Sequence, residues 1–158
     1  MKPYKLVIDH DLCWGCMTCE VACKQEFDLP EGIRLIRVWE QGPAMVDGRL
    51  DFSFRVNVCL HCDDPPCQDA CPEEAIAKRQ DGIVVLDEEV CTGCGTCIEA
   101  CPHGAITLDP HREIALKCNL CHDRVDHGLY PACADNVCPA HCIYFGKPED
   151  IERQRKHV

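Results

Sequence analysis

The sequence predicts an α+β fold assembled from small β-α-β pieces rather than from one large layered domain. Two observations carry that prediction. The 17 cysteines among 158 residues fall into four groups, and a short apolar run leads into each group. The runs are Leu6-Val7-Ile8-Asp9, Phe54-Arg55-Val56-Asn57-Val58, Ile83-Val84-Val85-Leu86-Asp87 and Glu113-Ile114-Ala115-Leu116. Short runs rich in β-branched residues and bounded by turn residues read as strands. Turns are expected at Gln80-Asp81-Gly82 and at Asp109-Pro110-His111-Arg112, whose residue types favour chain reversal. Short helices are expected inside the groups, around Glu20-Val21-Ala22, Gln68-Asp69-Ala70 and Ile98-Glu99-Ala100. Residues 24–58 interrupt the repeat. There Ile33 to Trp39 alternates like a half-buried strand, and Asp47-Gly48 is a hairpin signal. This segment is expected to be a β-rich insertion covering one of the cysteine sites. The tail, 148–158, is charged and is expected to be a solvated end, helical at best.

Composition narrows the function classes. Lys+Arg number 16 and Asp+Glu 27, so the formal charge is 16 − 27 = −11. That balance excludes a nucleic-acid footprint, which needs clustered basic surface, and disfavours anionic membrane surface. No apolar run approaches the roughly 20 residues of a membrane span. The opening residues, Met1 to Asp9, lack a signal-peptide pattern and a twin arginine, so a cytoplasmic protein is expected. An odd cysteine count without an export signal argues against a secreted disulfide scaffold. The thiols are expected to hold metal.

The spacing specifies which metal. The groups are Cys13-x2-Cys16-x2-Cys19-x3-Cys23; Cys59-x2-Cys62-x4-Cys67-x3-Cys71, followed by Pro72; Cys91-x2-Cys94-x2-Cys97-x3-Cys101, followed by Pro102; and Cys118-x2-Cys121 with Cys133, Cys138 and Cys142. Two-residue gaps wrap the backbone around a cubane, giving three thiolates to one [4Fe–4S] cluster. The next cysteine, three residues on, serves a second cluster, as in two-cluster ferredoxins. Tetrahedral zinc needs only two separated Cys pairs. A zinc-binding interaction protein is therefore the remote alternative.

The segments after each Cys-Pro align: Cys71-Pro72-Glu73-Glu74-Ala75-Ile76, Cys101-Pro102-His103-Gly104-Ala105-Ile106 and Cys138-Pro139-Ala140-His141-Cys142-Ile143. Cys142 falls where the others have alanine. It then reads as a surplus thiol acting as a small buried hydrophobe, with Cys138 the crossing ligand. The interval from Cys133 to Cys138 is one residue longer than its counterparts, so a local bulge is expected. A competing assignment uses Cys138 and Cys142 and leaves Cys133 over. Sixteen ligands make four [4Fe–4S] clusters, with a [3Fe–4S] cluster at one site still open. The second and third groups form an inner ferredoxin-like 2[4Fe–4S] unit, 59–112. The first and fourth pair across it as an outer unit, 1–23 plus 113–147, all within a single polyferredoxin body spanning 1–158.

In this order the four groups resemble the iron–sulfur electron-transfer subunits of molybdenum- and tungsten-pterin oxidoreductases, the four-cluster ferredoxins of dimethyl sulfoxide reductase type. The most specific stretches are Cys59-Leu60-His61-Cys62-Asp63-Asp64-Pro65-Pro66-Cys67 and Cys118-Asn119-Leu120-Cys121-His122-Asp123-Arg124. The resemblance implies a wiring. Cys13, Cys16 and Cys19 share a cluster with Cys138, and Cys23 completes the cluster of Cys118, Cys121 and Cys133. Cys59, Cys62 and Cys67 take Cys101, while Cys91, Cys94 and Cys97 take Cys71. It also implies a Mo/W-pterin catalytic partner. The short C-terminal region favours a soluble complex with a tungsten aldehyde oxidoreductase-like subunit.

Nothing else in the sequence carries chemistry. There is no Walker loop, dinucleotide fingerprint or zinc-protease helix. Cys142 beside His141 is the one thiol outside the assigned ligands, so no catalytic residue is assigned. His61, His103, His122 and His141 adjoin ligands and are expected to be exposed and solvated. The expected function is a non-catalytic electron wire. A catalytic subunit stands at one end and a flavin or other redox subunit, or further copies of the protein, at the other. A free-standing polyferredoxin is the alternative.

Overall fold

The computed structural model describes residues 2–156; Met1 and the last two residues of the tail lie outside them. Its elements run β1 (Lys5–Ile8), a 3-10 turn (His10–Leu12), α1 (Thr18–Glu26), β2 (Ile36–Val46), β3 (Arg49–Val58), α2 (Pro66–Asp69), β4 (Ile76–Lys78), β5 (Val84–Leu86), α3 (Thr96–Ala100), β6 (Ile106–Asp109), β7 (Ile114–Lys117), α4 (His122–Asp126), β8 (Ile143–Gly146) and α5 (Pro148–Arg155). The strands make four separate two-stranded ladders, β1–β8, β2–β3, β4–β5 and β6–β7, all antiparallel. Isolated hairpins are marginal in water. Their order must come from what they enclose.

Three of the ladders follow from local turns. Asp81 accepts from the Ile83 amide between β4 and β5. Asp109, 2% exposed, accepts from the amides of His111 and Arg112 between β6 and β7. Asp47 and Gly48 both take positive φ, 50° and 76°, as the tight turn joining β2 to β3 requires. The fourth ladder joins the two ends of the protein, pairing Lys5 with Gly146 and Ile8 with Ile143.

The insertion departs from its expected start. β2 begins at Ile36, not Ile33, because the Lys24 ammonium takes the carbonyls of Pro30 and Ile33 at 2.7 and 3.0 Å and holds that stretch as a loop. Ile33 and Leu35 are nevertheless buried. Glu20, 5% exposed, ties the hairpin to α1 by accepting from the Val38 amide at 2.5 Å and pairing with Arg34. The base of the hairpin is buried, while its far end exposes Met45, Val46, Leu50 and Phe52.

The tail is not a solvated end. Pro148 opens α5, where its missing N–H costs nothing, and the Asp150 carboxylate accepts from the Lys147 amide. The Gln154 amide bridges both backbone groups of Phe145, at 3.3 and 2.8 Å, and Ile151 is buried. The segment docks because its one isoleucine and one glutamine meet β8 along the edge that does not pair with β1. Buried apolar residues form a larger cluster through the terminal ladder and insertion, and a smaller one between β4–β5 and β6–β7.

Candidate metal centres

The Cys-x-x-Cys loops share one backbone device. Two residues after the first cysteine of each group the backbone turns left-handed: Gly15 (φ 68°), His61 (47°), Gly93 (68°) and Leu120 (53°). This repeated turn curls four loops the same way and directs successive thiols to one side. At Gly93 the glycine is required, since a Cβ would lie 1.9 Å from the Glu113 carbonyl oxygen. At Gly15 a Cβ would meet the Phe54 ring, 2.1 Å away, so β3 of the insertion covers the first loop.

All seventeen thiols are free, and they converge in four places. Cys19 faces Cys16 and Cys138. Cys23 faces Cys118 and Cys121, and Cys133 faces the same three. Cys59, Cys62, Cys67 and Cys101 line one small apolar cavity. Cys71, Cys91, Cys94 and Cys97 line another. Cys142 lies with the first set, its Sγ 3.5 Å from that of Cys138 and beside Cys13. The longer interval before Cys138 is absorbed by Asn136, which is left-handed at φ 53°.

The donor chemistry fits [4Fe–4S] clusters. Zinc at Zn–S of about 2.3 Å draws its thiolates tightly together. Among the described residues no three Cys, His, Asp or Glu groups converge enough to share a single ion. The thiols instead stand around gaps. Burial pushes Cys19 and Cys118 up to about 12 and Cys97 up to about 11, with neighbouring thiols adding to the effect. Burial raises Cys133 far above the ordinary range. Such groups ionise together only when a strong cation shares their space.

Amides and hydroxyls point at the sulfurs. Ala115 N–H donates to Cys91 at 3.4 Å, Leu120 N–H to Cys118 at 3.4 Å and Ala132 N–H to Cys121 at 3.5 Å. Thr18 donates its hydroxyl to Cys16 at 3.3 Å, and Thr96 lies 3.2 Å from Cys94. Such contacts would tune the potential of a cluster held by these thiols.

Of the four histidines beside ligands, His103 and His141 are exposed and His122 is partly so. His61 overturns the expectation of solvation. It is 2% exposed, and its Nδ1 accepts from the Val84 amide at 2.9 Å. Burial, reinforced by Lys117, Lys5 and Lys78, pushes its pKa down to about 2, so the ring is neutral and its proton sits on Nε2. That Nε2 has no hydrogen-bond partner among the described residues. Lys117, likewise buried, also stands apart from every expectation drawn from sequence. Its only signal there is an isolated cation directly before Cys118.

Repeated small hairpins around converged cysteine quartets define a cluster-binding protein of ferredoxin type. Residues 50–148 match the 4Fe-4S dicluster domain family, and residues 6–27 match the 4Fe-4S binding domain family. The B subunit of polysulfide reductase from Wolinella succinogenes is 39% identical, the match covering 94% of this protein and 78% of that one. The B subunit of anaerobic dimethyl sulfoxide reductase from Escherichia coli (strain K12) is 37% identical, covering 96% and 77%. The thiosulfate reductase electron transfer subunit PhsB of Salmonella typhi is 38% identical, covering 98% and 81%. The protein belongs to this family of iron–sulfur subunits of dimethyl sulfoxide reductase-type complexes, and it carries [4Fe–4S] clusters.

Proposed function

We propose that this protein is the electron-transfer subunit of a Mo- or W-pterin reductase, relaying single electrons along four [4Fe–4S] clusters. The ligand sets are Cys71, Cys91, Cys94 and Cys97; Cys59, Cys62, Cys67 and Cys101; Cys23, Cys118, Cys121 and Cys133; and Cys13, Cys16, Cys19 and Cys138. The observation that supports this reading is the gathering of the thiols into four places, three of them with four cysteines and the other with Cys13, Cys16, Cys19 and Cys138 beside Cys142. Cys142 is the surplus thiol, packed against Cys138.

The order of the sets supports a single line rather than a branched cluster. Cys118 of the fourth group faces Cys59 of the second, and Cys133 faces Cys19 of the first. The line therefore runs third, second, fourth, first. Exposed thiols stand at its two ends, Cys94 in the third group and Cys16 in the first. Each cluster supplies a one-electron store that changes little in shape. The protein's part is to hold the thiols, exclude water from the middle and leave the ends open to partners.

The relatives' names, polysulfide, dimethyl sulfoxide and thiosulfate reductase, favour a catalytic partner that reduces a small sulfur compound over an aldehyde oxidoreductase. Among the described residues no helix is long and apolar enough to cross a membrane. The acidic charge would speed docking to a basic face, an effect that salt weakens. Anaerobic purification of the native complex tests the proposal. The expected result is a pterin-containing subunit in constant ratio with this one, and about sixteen irons per polypeptide. Fully loaded protein that purifies alone would make it a free-standing polyferredoxin instead.

A further inference from the structure

The boundary between the two middle sites holds a buried cation. Lys117 ends β7, next to Cys118, and is 5% exposed. Its ammonium donates to the Val84 carbonyl and, at 2.8 Å, to the Cys118 carbonyl. Val84 lines the cavity of Cys59, Cys62, Cys67 and Cys101 and belongs to the smaller apolar cluster, whereas Cys118 belongs to the larger one. The amine thus spans the seam between the two halves. His61 fixes the same residue by accepting the Val84 amide.

Lys117 lacks the usual compensation for a buried charge. The lysines that pair with carboxylates among the described residues are Lys2, Lys5 and Lys78, all with partly exposed side chains. Lys117 faces thiols instead, acting on both Cys67 and Cys118. Burying an ammonium with only two carbonyl partners is unfavourable unless an anion lies nearby. The anions that offset it must be the groups bound by those thiols.

We infer that Lys117 is a built-in cation between the second- and fourth-group clusters, raising the reduction potential of both. This rests on the relay reading above. Each cluster gains one electron and no proton on reduction, so its charge moves from about −2 to about −3. A fixed positive charge stabilises the more negative state further, and the potential rises. The step between the two halves then joins two clusters lifted together, rather than falling into or climbing out of one.

The test is a potentiometric titration of the whole anaerobic protein, followed by electron paramagnetic resonance, on wild type, Lys117→Met and Lys117→Gln. In Lys117→Met two of the four midpoints should fall by at least 59 mV, a tenfold change in the one-electron equilibrium constant, while the other two stay. Lys117→Gln keeps N–H donors for the two carbonyls without the charge and should show the same fall. Unmoved midpoints in loaded variants overturn the inference, as does an equal fall at all four. Wild-type midpoints in Lys117→Gln would assign the effect to hydrogen bonding and overturn it too. Loss of clusters in both variants would make Lys117 a structural pin only, again overturning it. Wild type without four reducible clusters would sink the relay reading itself, a distinguishable result.

Discussion

The first and third cysteine groups differ from the second and fourth in the same ways. Where the loop turns left-handed, the former have Gly15 and Gly93 and the latter His61 and Leu120. The glycine groups each carry an exposed cysteine, Cys16 or Cys94, with a threonine hydroxyl two residues on at its sulfur. In the other two groups the turn residue is itself core, 2% exposed for His61 and 1% for Leu120. One backbone device therefore makes two kinds of site. Glycine gives a thin loop at the surface, where in the proposed relay an electron would enter or leave. A large side chain packs the loop into the interior and, in that relay, would keep water from the middle of the line.

Removing ligands tests this contrast most strongly. Cys133 is buried among four other thiols, whereas Cys94 is exposed, at an end of the proposed line. Cys94→Ala should leave about twelve of the roughly sixteen irons and a cooperative fold. Cys133→Ala should lose the outer pair, dropping iron to about eight or below, because the terminal ladder has little else to enclose. Complete removal of iron by chelation should leave no cooperative melt by circular dichroism, since metal binding here is folding free energy. Equal iron losses in the two variants, or a cooperative melt of iron-free protein, would erase the distinction between ends and middle.

Much of this was legible because the signals are local. β-branched runs, Asp-Gly turns and two-residue cysteine gaps act over a few residues, and the hairpins at Asp47-Gly48, Asp81 and Asp109 formed where those residues stand. What escaped was set by distant partners. Ile33 to Leu35 has a strand pattern, yet Lys24 takes the carbonyls of Pro30 and Ile33 first. Ile151 looks isolated in a charged tail until β8 offers it a surface. His61 reads as a solvated residue beside a ligand, and Lys117 carries no expectation at all. Their burial depends on Val84, more than twenty residues from either. The glycine and non-glycine alternation was visible in the sequence, but its meaning needed the φ angles.

A smaller effect is expected from the seal itself. Leu120 fills the core beside Cys118 while its own amide donates to that sulfur. Leu120→Ala keeps the donor and removes the side chain. It should cost about 2–5 kcal/mol in anaerobic denaturant unfolding, with iron content unchanged at low denaturant. The alanine also leaves space through which water can reach the middle of the line. Oxygen should therefore destroy clusters faster in this variant than in wild type, measured as loss of visible absorbance in air. Wild-type lifetimes in air would mean that Leu120 packs the core without sealing the site.

The smallest expected effect lies at an end. The Thr96 hydroxyl is the leading cause that holds the Cys94 thiol below its ordinary range, so it favours the thiolate. The same hydrogen bond draws electron density off a sulfur bound to iron and raises the cluster's potential. Thr96→Val, nearly isosteric, removes it. One midpoint should fall by less than the 59 mV of a tenfold change, because Cys94 is exposed and water can replace the lost donor. The corresponding Thr18→Val change should lower a different midpoint by a similar amount, as Thr18 stands in the same relation to Cys16. If the two variants moved the same midpoint, the third and first groups could not be opposite ends of one line. If either shift exceeded that caused by Lys117→Met, the exposed ends rather than the buried seam would dominate the tuning.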